Sequence, residues 1–223
     1  MPATTGVATL FKQDERLQRR MAYSTGTTLL TTISSRADMS GAIRVAAVFF
    51  VAVLTAVAAQ VSVPLPFTPV PFTLQPMIVL VGGAALGARL GMASQIIYLT
   101  AGIAGLPVFA TSAVLPQGFL RLLGPTGGFL MAYPLAAFVA GWLAERGFDR
   151  RYLTSVIAMA AGLILIFAFG ITWFAFFALP APAGLSKALQ LALYPFIGVD
   201  ILKILLAATV LPSVWTLTDR SGR

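Results

Sequence analysis

The sequence predicts an all-α integral membrane protein, a bundle of six transmembrane helices with both termini in the cytosol and irregular loops facing outwards. Of the 223 residues, 58% are hydrophobic and 10% are charged, whereas about a quarter of residues are charged in an average soluble domain. The mean hydropathy is +0.91. Long apolar runs alternate with short connections, and a bilayer needs about 20 apolar residues per helix. We therefore expect a multi-pass protein of the cytoplasmic (inner) membrane.

The residue types that are missing exclude several classes of function. The chain has no cysteine and no histidine, which removes disulfides, thiolate chemistry, the usual general base and the commonest transition-metal ligands. We therefore expect no enzyme, no metal site and no cofactor. The net charge is +8, but the basic residues are spread through the connections and form no single patch for nucleic acid.

The chain divides into a polar cytosolic tail at residues 1–41, expected to be mobile, a membrane domain at 42–212 and a cytosolic tail at 213–223. The first span covers residues 43–63. Small residues at helical spacing let helices approach closely, so those of this span pack either against the protein's own helices or against a separate membrane subunit. They are Ala42, Ala46, Ala52 and Ala56.

Two apolar but irregular stretches lie between the spans. Residues 63–76 contain five prolines and no charge, so they cannot form a helix. Irregular backbone at membrane depth is tolerated where it is buried in protein or lines a cavity. We interpret this stretch as a stiff lid over a site, with a rigid connector as the alternative. The second stretch, residues 105–128, contains Arg121 and ends in glycines whose backbone N–H groups are available to a ligand oxygen.

The remaining elements end where glycine, proline or charged residues interrupt the apolar runs. They are spans over 77–86, 90–103, 129–144 and 154–179, an interfacial helix over 185–193, and a last span from Pro195 to just before Pro212. With six spans, the inner segments hold twelve Lys and Arg and the outer ones only Arg121 and Lys187. Basic residues favour the cytosolic side, so both irregular stretches and the first half of the last span face outwards.

Asp200 and Lys203 are the only acid and base deep inside an apolar run. A charge in the hydrocarbon region costs about 2.5–3.5 kcal/mol on insertion scales, so such residues indicate a functional site. On a helix they stand at i and i+3, on one face, close enough to neutralise each other. The alternative is a salt bridge that fixes the last helix and binds no ligand.

Four motifs, in this order, resemble the BioY family, the biotin-specific substrate-binding (S) components of energy-coupling-factor (ECF) transporters. The similarity covers residues 43–211 and implies a six-helix bundle with a biotin site near the outer surface. It also implies partners, namely a transmembrane coupling subunit and two ATPase subunits. The motifs are Pro64-Leu65-Pro66 with Val70-Pro71-Phe72-Thr73-Leu74-Gln75, then Gly105-Leu106-Pro107-Val108-Phe109-Ala110, Gly124-Pro125-Thr126-Gly127-Gly128, and Pro195-Phe196-Ile197-Gly198-Val199-Asp200-Ile201-Leu202-Lys203.

The resemblance assigns Asp200 and Lys203 to the polar bicyclic end of biotin, since a carboxylate accepts from ureido N–H groups and an ammonium donates to the ureido carbonyl. Arg121 is the candidate for the valerate carboxylate, with a headgroup-facing anchor as the alternative. Gln75, Tyr98 and Thr126 are further candidates for the lining, or simple packing groups. Residues 111–117 depart from the glycine-rich stretch expected in this family.

Two other functions compete with biotin capture. An ion-coupled secondary transporter would use Asp200 as a proton carrier, but the inverted repeats common in such folds are not visible. A membrane enzyme would use Asp200 and Lys203 as acid and base, but it would lack histidine, a metal ligand set and a second buried carboxylate.

Overall fold

The computed structural model describes residues 28–29, 40–111 and 117–220. Within these residues the chain is mostly helical, with one antiparallel hairpin of two short strands. In chain order the elements are α1 (Ser40–Gln60), β1 (Ser62–Val63), β2 (Phe72–Thr73), α2 (Gln75–Leu86), α3 (Ala88–Ile103), α4 (Leu120–Leu123), α5 (Gly127–Ala144), α6 (Tyr152–Phe176), α7 (Leu185–Ala192) and α8 (Tyr194–Arg220).

Four of these helices, α1, α5, α6 and α8, are long and apolar enough to cross a membrane. Their qualifying stretches hold 18 to 25 residues, and a bilayer needs about 20. Helix α2 is apolar but has only 12 residues, and α3 has 16. The chain is therefore a multi-pass membrane protein, and the predicted count of six spans depends on whether α2 and α3 also cross.

Helix α5 lies between α2, α3 and α6 and packs against all three. A side chain at Gly141 would overlap the carbonyl carbon of Gly87, so only glycine lets the α2–α3 turn approach α5 this closely. Gly87 itself has φ of 89°, a conformation that favours glycine. The chain therefore reverses between α2 and α3 within one residue. Glu145 Oε1 accepts a hydrogen bond from the Ala88 backbone N–H at 2.9 Å, which satisfies a free donor at the start of α3.

The predicted end of the last span is wrong. Helix α8 does not stop before Pro212 but continues to Arg220. Proline removes one backbone hydrogen bond from a helix interior, and here tertiary contacts compensate for that loss. Leu211 and Trp215 are buried in the central core, and the Trp215 indole N–H donates to Asp149 Oδ2 at 2.7 Å. The other predicted helices begin and end within three residues of the observed ones.

Asp149, in the connection between α5 and α6, makes stability depend on pH. Burial raises the pKa of its carboxyl, and the hydrogen bond from Trp215 and the charge of Arg150 only partly offset this. A raised pKa contributes stability that is fully present below the unfolded value of about 3.9 and is lost as pH rises through the folded pKa. Asp149→Asn removes the charge but keeps an oxygen acceptor for Trp215.

We therefore expect Asp149→Asn to melt above the wild type near neutral pH, and this advantage to shrink as pH is lowered towards about 4. Thermal unfolding in detergent at several pH values measures the difference. Trp215→Phe, which leaves the carboxylate without its indole donor, is expected to melt below the wild type near neutral pH. An Asp149→Asn variant that is less stable than the wild type at neutral pH would contradict the assignment.

The predicted N-terminal tail, residues 1–41, lies mostly outside the described residues, as do residues 221–223 of the C-terminal tail. Thr28 and Leu29 are described and buried, with 2% and 6% of their surface exposed. Leu29 belongs to the central apolar core. At these two positions the chain packs against the bundle, which does not agree with the prediction of a mobile tail.

Candidate functional site

A cavity with an empty volume of about 610 Å³, part of it open to solvent, lies between the hairpin region, the N-terminal ends of α2 and α5, and helices α6 and α8. Small-molecule sites have mainly apolar walls with a few polar groups that converge on the ligand. This cavity fits that description. Its polar lining consists of Thr73, Gln75, Arg121, Thr126, Tyr133, Asp200 and Lys203, and its aromatic walls are Phe109, Phe129, Phe167 and Phe196.

Asp200 and Lys203 form a buried ion pair at this cavity, with Lys203 Nζ 2.6 Å from Asp200 Oδ1. Both stand on α8, three residues apart, so they share one face of the helix. Within the part of the chain that the structure describes, this is the only ion pair, and Asp200 Oδ2 takes part in no hydrogen bond. One carboxylate oxygen is therefore available to accept from a ligand.

Lys203 also ties α8 to the hairpin. Its Nζ donates to the Thr73 backbone carbonyl at 2.7 Å and lies 3.7 Å from the centroid of the Phe72 ring. Both partners belong to β2, which pairs antiparallel with β1. An ammonium has three donors, and two are used by Asp200 and Thr73. The third remains for an oxygen in the cavity.

Arg121 lies on the short helix α4 and is almost fully buried, with 1% of its surface exposed. Its Nη2 donates to the Ala110 carbonyl at 2.8 Å, and both residues line the cavity. The guanidinium thus joins the two parts of the second irregular stretch. The predicted alternative, an anchor facing lipid headgroups, does not agree with this burial.

Gln75 lines the cavity, but Tyr98 does not. Tyr98 lies behind Gln75, whose Nε2 donates to the Tyr98 hydroxyl at 2.5 Å. The hydroxyl donates in turn to the Val108 carbonyl at 3.3 Å. Tyr98 therefore orients Gln75 and connects α3 to the loop that follows it.

Thr126 lines the cavity at the residue that precedes α5. Its hydroxyl oxygen is buried and has no hydrogen-bond partner among the described residues. Because a buried hydroxyl without a partner is costly, this oxygen is suited to a polar ligand. The glycines that follow also permit close packing. A side chain at Gly127 would overlap the Leu122 carbonyl, and one at Gly128 would overlap Trp173.

Sequence reasoning missed Tyr133 and the Thr73 carbonyl. Tyr133 is the one residue of α5 with a side-chain hydroxyl, a signal that the sequence does contain. It is buried at the cavity wall. The Thr73 carbonyl has no sequence signal, because any residue at that position supplies one. No group of three or more His, Cys, Asp or Glu within residues 28–29, 40–111 and 117–220 is arranged to hold a metal ion.

A sequence model described as the BioY family matches residues 21–220. The chain belongs to the BioY family. Its relatives within the family include the probable biotin transporter BioY of Pyrococcus horikoshii, which is 42% identical over 70% of this chain and 86% of its own length. The biotin transporter BioY of Thermotoga maritima is 36% identical over the same shares of the two chains.

The fold of this BioY family member is similar to that of a crystal structure described as the S-component for biotin from an ECF-type ABC transporter. The TM-score is 0.71 at 23% identity, and the match covers 81% of this chain and 94% of that one. The fold is therefore that of an ECF S component.

The four alanines predicted to dock a partner do not share one exposed face in this BioY family member. Ala42 and Ala46 are exposed. Ala52 is buried in the core, with 5% of its surface exposed, and Ala56 packs partly buried against that core. Ala52 is therefore not available to a partner, and Ala52 and Ala56 pack against the protein's own helices, which is the first of the two predicted alternatives.

Proposed function

We propose that this chain takes up biotin. It binds biotin in the cavity at α8, open to the outside, and passes it across the cytoplasmic membrane as the S component of an ATP-driven ECF transporter. The observation that carries the proposal is the buried Asp200–Lys203 pair in an aromatic-walled cavity, in a family whose named members are biotin transporters. Because these relatives are transporters, we assign no enzymatic activity to the chain.

The cavity's chemistry matches a neutral urea next to a carboxylate chain. The free Asp200 oxygen accepts from a ureido N–H, and the remaining Lys203 donor bonds the ureido oxygen. Arg121 binds the valerate carboxylate, and Gln75 and Thr126 supply further polar contacts. The phenylalanine rings cover the apolar bicycle.

Equilibrium binding of biotin to the purified protein tests this function. We expect saturable binding at nanomolar concentrations, which corresponds to roughly 12 kcal/mol. Lipoic acid serves as the control ligand, since it has a carboxylate and an apolar chain but no urea. If biotin and lipoic acid bind equally, or if biotin shows no saturation, the biotin assignment is wrong.

We further propose that α2 and α3 complete six spans and that both termini lie in the cytosol. The excess of basic residues on one side supports this orientation. Because the chain has no cysteine, a single introduced cysteine reports its own side. In intact cells, a membrane-impermeant maleimide should label Lys187→Cys but not Arg151→Cys. The reverse pattern would overturn the orientation.

Uphill transport requires partner proteins. We propose that these are a transmembrane coupling subunit and two ATPase subunits. The coupling subunit docks at Ala42 and Ala46. The small exposed side chains of these residues permit close helix contact. We expect Ala46→Leu to bind biotin normally, but to lose about tenfold or more in co-purification with the coupling subunit and in uptake. Ala168→Leu, at an exposed position of α6, is the matched control and should behave as the wild type.

Two results would contradict this coupling. Normal co-purification of Ala46→Leu would place the docking surface elsewhere. Loss of uptake when the proton gradient is collapsed at intact ATP would favour an ion-coupled transporter with Asp200 as proton carrier.

A further inference from the structure

A second cavity lies at the end of the bundle opposite the candidate biotin site. It has an empty volume of about 860 Å³, part of it open to solvent, and lies between the start of α1, the α2–α3 turn and the end of α5. Under the proposed orientation this end faces the cytosol. The cavity is lined by Thr28, Arg44, Leu86, Ala88, Arg89, Leu90, Phe138, Trp142 and Glu145.

The described residues that line this cavity carry a net positive charge, with two arginines and one acid. Arg44 and Arg89 are exposed, and neither forms an ion pair with any carboxylate in the described part of the chain. Among the described lining residues Glu145 is the one acid, and its Oε1 accepts a hydrogen bond from the Ala88 backbone N–H. Nearby, the Arg146 guanidinium packs over the Trp142 ring, 3.4 Å from its centroid. The cavity therefore offers two arginines to an anion, with a third close by.

An apolar stripe on α5 leads from the cavity towards the middle of the membrane. Trp142, Leu135 and Met131 are exposed by 42%, 39% and 36%, and Phe138 lies between them on the same face. Their spacing of three or four residues places them in one row along the helix. Trp142, at the end of the row beside the arginines, is a residue type enriched at the level of lipid headgroups.

We propose that this cavity binds an anionic phospholipid, with its phosphate at Arg44 and Arg89 and an acyl chain along the α5 stripe. Basic pockets between transmembrane helices on the cytosolic side are suited to such headgroups. An acidic segment of a partner protein would match the arginines, but it would leave the apolar stripe unexplained. The lipid accounts for both.

Lipid retention by the purified protein tests this proposal. The protein in mixed micelles is titrated with phosphatidylglycerol or phosphatidylcholine, and bound lipid is counted by native mass spectrometry beside the thermal midpoint. We expect phosphatidylglycerol to bind preferentially and to raise the midpoint. The double variant Arg44→Gln/Arg89→Gln should bind it about 30-fold more weakly, since each basic residue near the surface contributes about 1 kcal/mol.

Two further variants and a test of folding serve as controls. Arg44→Lys/Arg89→Lys keeps both charges and should retain most of the preference, and Arg151→Gln/Lys187→Gln loses the same charge elsewhere and should retain all of it. Biotin binding reports that each variant is folded. Three outcomes overturn the proposal: an equal response to both lipids, an unchanged response in Arg44→Gln/Arg89→Gln, or an equal midpoint shift from inorganic phosphate alone, which indicates a free-anion site. Unchanged lipid retention with lost co-purification of the coupling subunit would instead indicate a protein contact.

Discussion

Asp200→Asn and Lys203→Met are each expected to lower the affinity for biotin by at least about a hundredfold. Either change leaves the partner charge buried and unpaired, which costs about 3–5 kcal/mol, and each also removes a proposed contact with the ureido group. Equilibrium binding to the purified variants measures the loss. Lys187→Met is the matched control, because Lys187 is exposed on α7 and does not line the cavity. It should bind biotin as the wild type does.

The double variant Asp200→Asn/Lys203→Met separates ligand recognition from a salt bridge that only fixes α8. Removing both members of a buried pair is often neutral or stabilising, so the double variant should recover the thermal stability that each single variant loses. If the pair binds biotin, affinity stays low despite this recovery. Recovery of affinity together with stability would show that the pair serves α8 alone.

Arg121→Gln is expected to weaken biotin binding roughly ten- to a hundredfold, as a hydrogen bond to a charged group contributes about 1.5–3 kcal/mol. The decisive comparison is with biotinamide, which lacks the negative charge. If Arg121 binds the carboxylate, the variant loses most of the wild-type preference for biotin over biotinamide. The measurement is the ratio of the two dissociation constants in each protein.

If Arg121 has only a structural role, the ratio of the two dissociation constants should be the same in the variant as in the wild type. Its Nη2 also donates to the Ala110 carbonyl, so the substitution disturbs the cavity wall for any ligand. In that case biotin and biotinamide weaken equally and the preference is unchanged. Gln75→Leu is a suitable control, because it removes a polar lining group that carries no charge, and it should leave the preference intact.

The helices and the irregular stretches were predictable because apolar runs in a membrane protein are bounded by proline, glycine and charged residues. The end of α8 was not predictable from Pro212, because the continuation depends on Trp215 meeting Asp149, 66 positions earlier in the chain. The sequence pattern around Pro212 carries no information about a contact at that separation. The same holds for Ala52, whose burial depends on which neighbours α1 packs against.

The candidate site likewise contains residues that the sequence indicates and residues that it does not. Asp200, Lys203, Arg121, Gln75 and Thr126 stand out in the sequence as charges or polar groups where apolar residues are expected, and all five line the cavity. Tyr98 satisfies the same criterion but lies behind Gln75 and does not line the cavity. The sequence does not indicate which side of α3 faces the cavity. The Thr73 carbonyl has no side-chain signature at all.

The hydrogen bond between Lys203 and Thr73 joins residues 130 positions apart, and this separation constrains how the protein is made. Helix α8 follows every other described helix in the chain, so the cavity cannot close until α8 has left the ribosome. A chain truncated before α8 retains three of the four long spans and most of the aromatic wall, yet lacks the ion pair entirely. Ligand recognition thus requires α8, and a copy whose synthesis stops before α8 cannot sequester the vitamin.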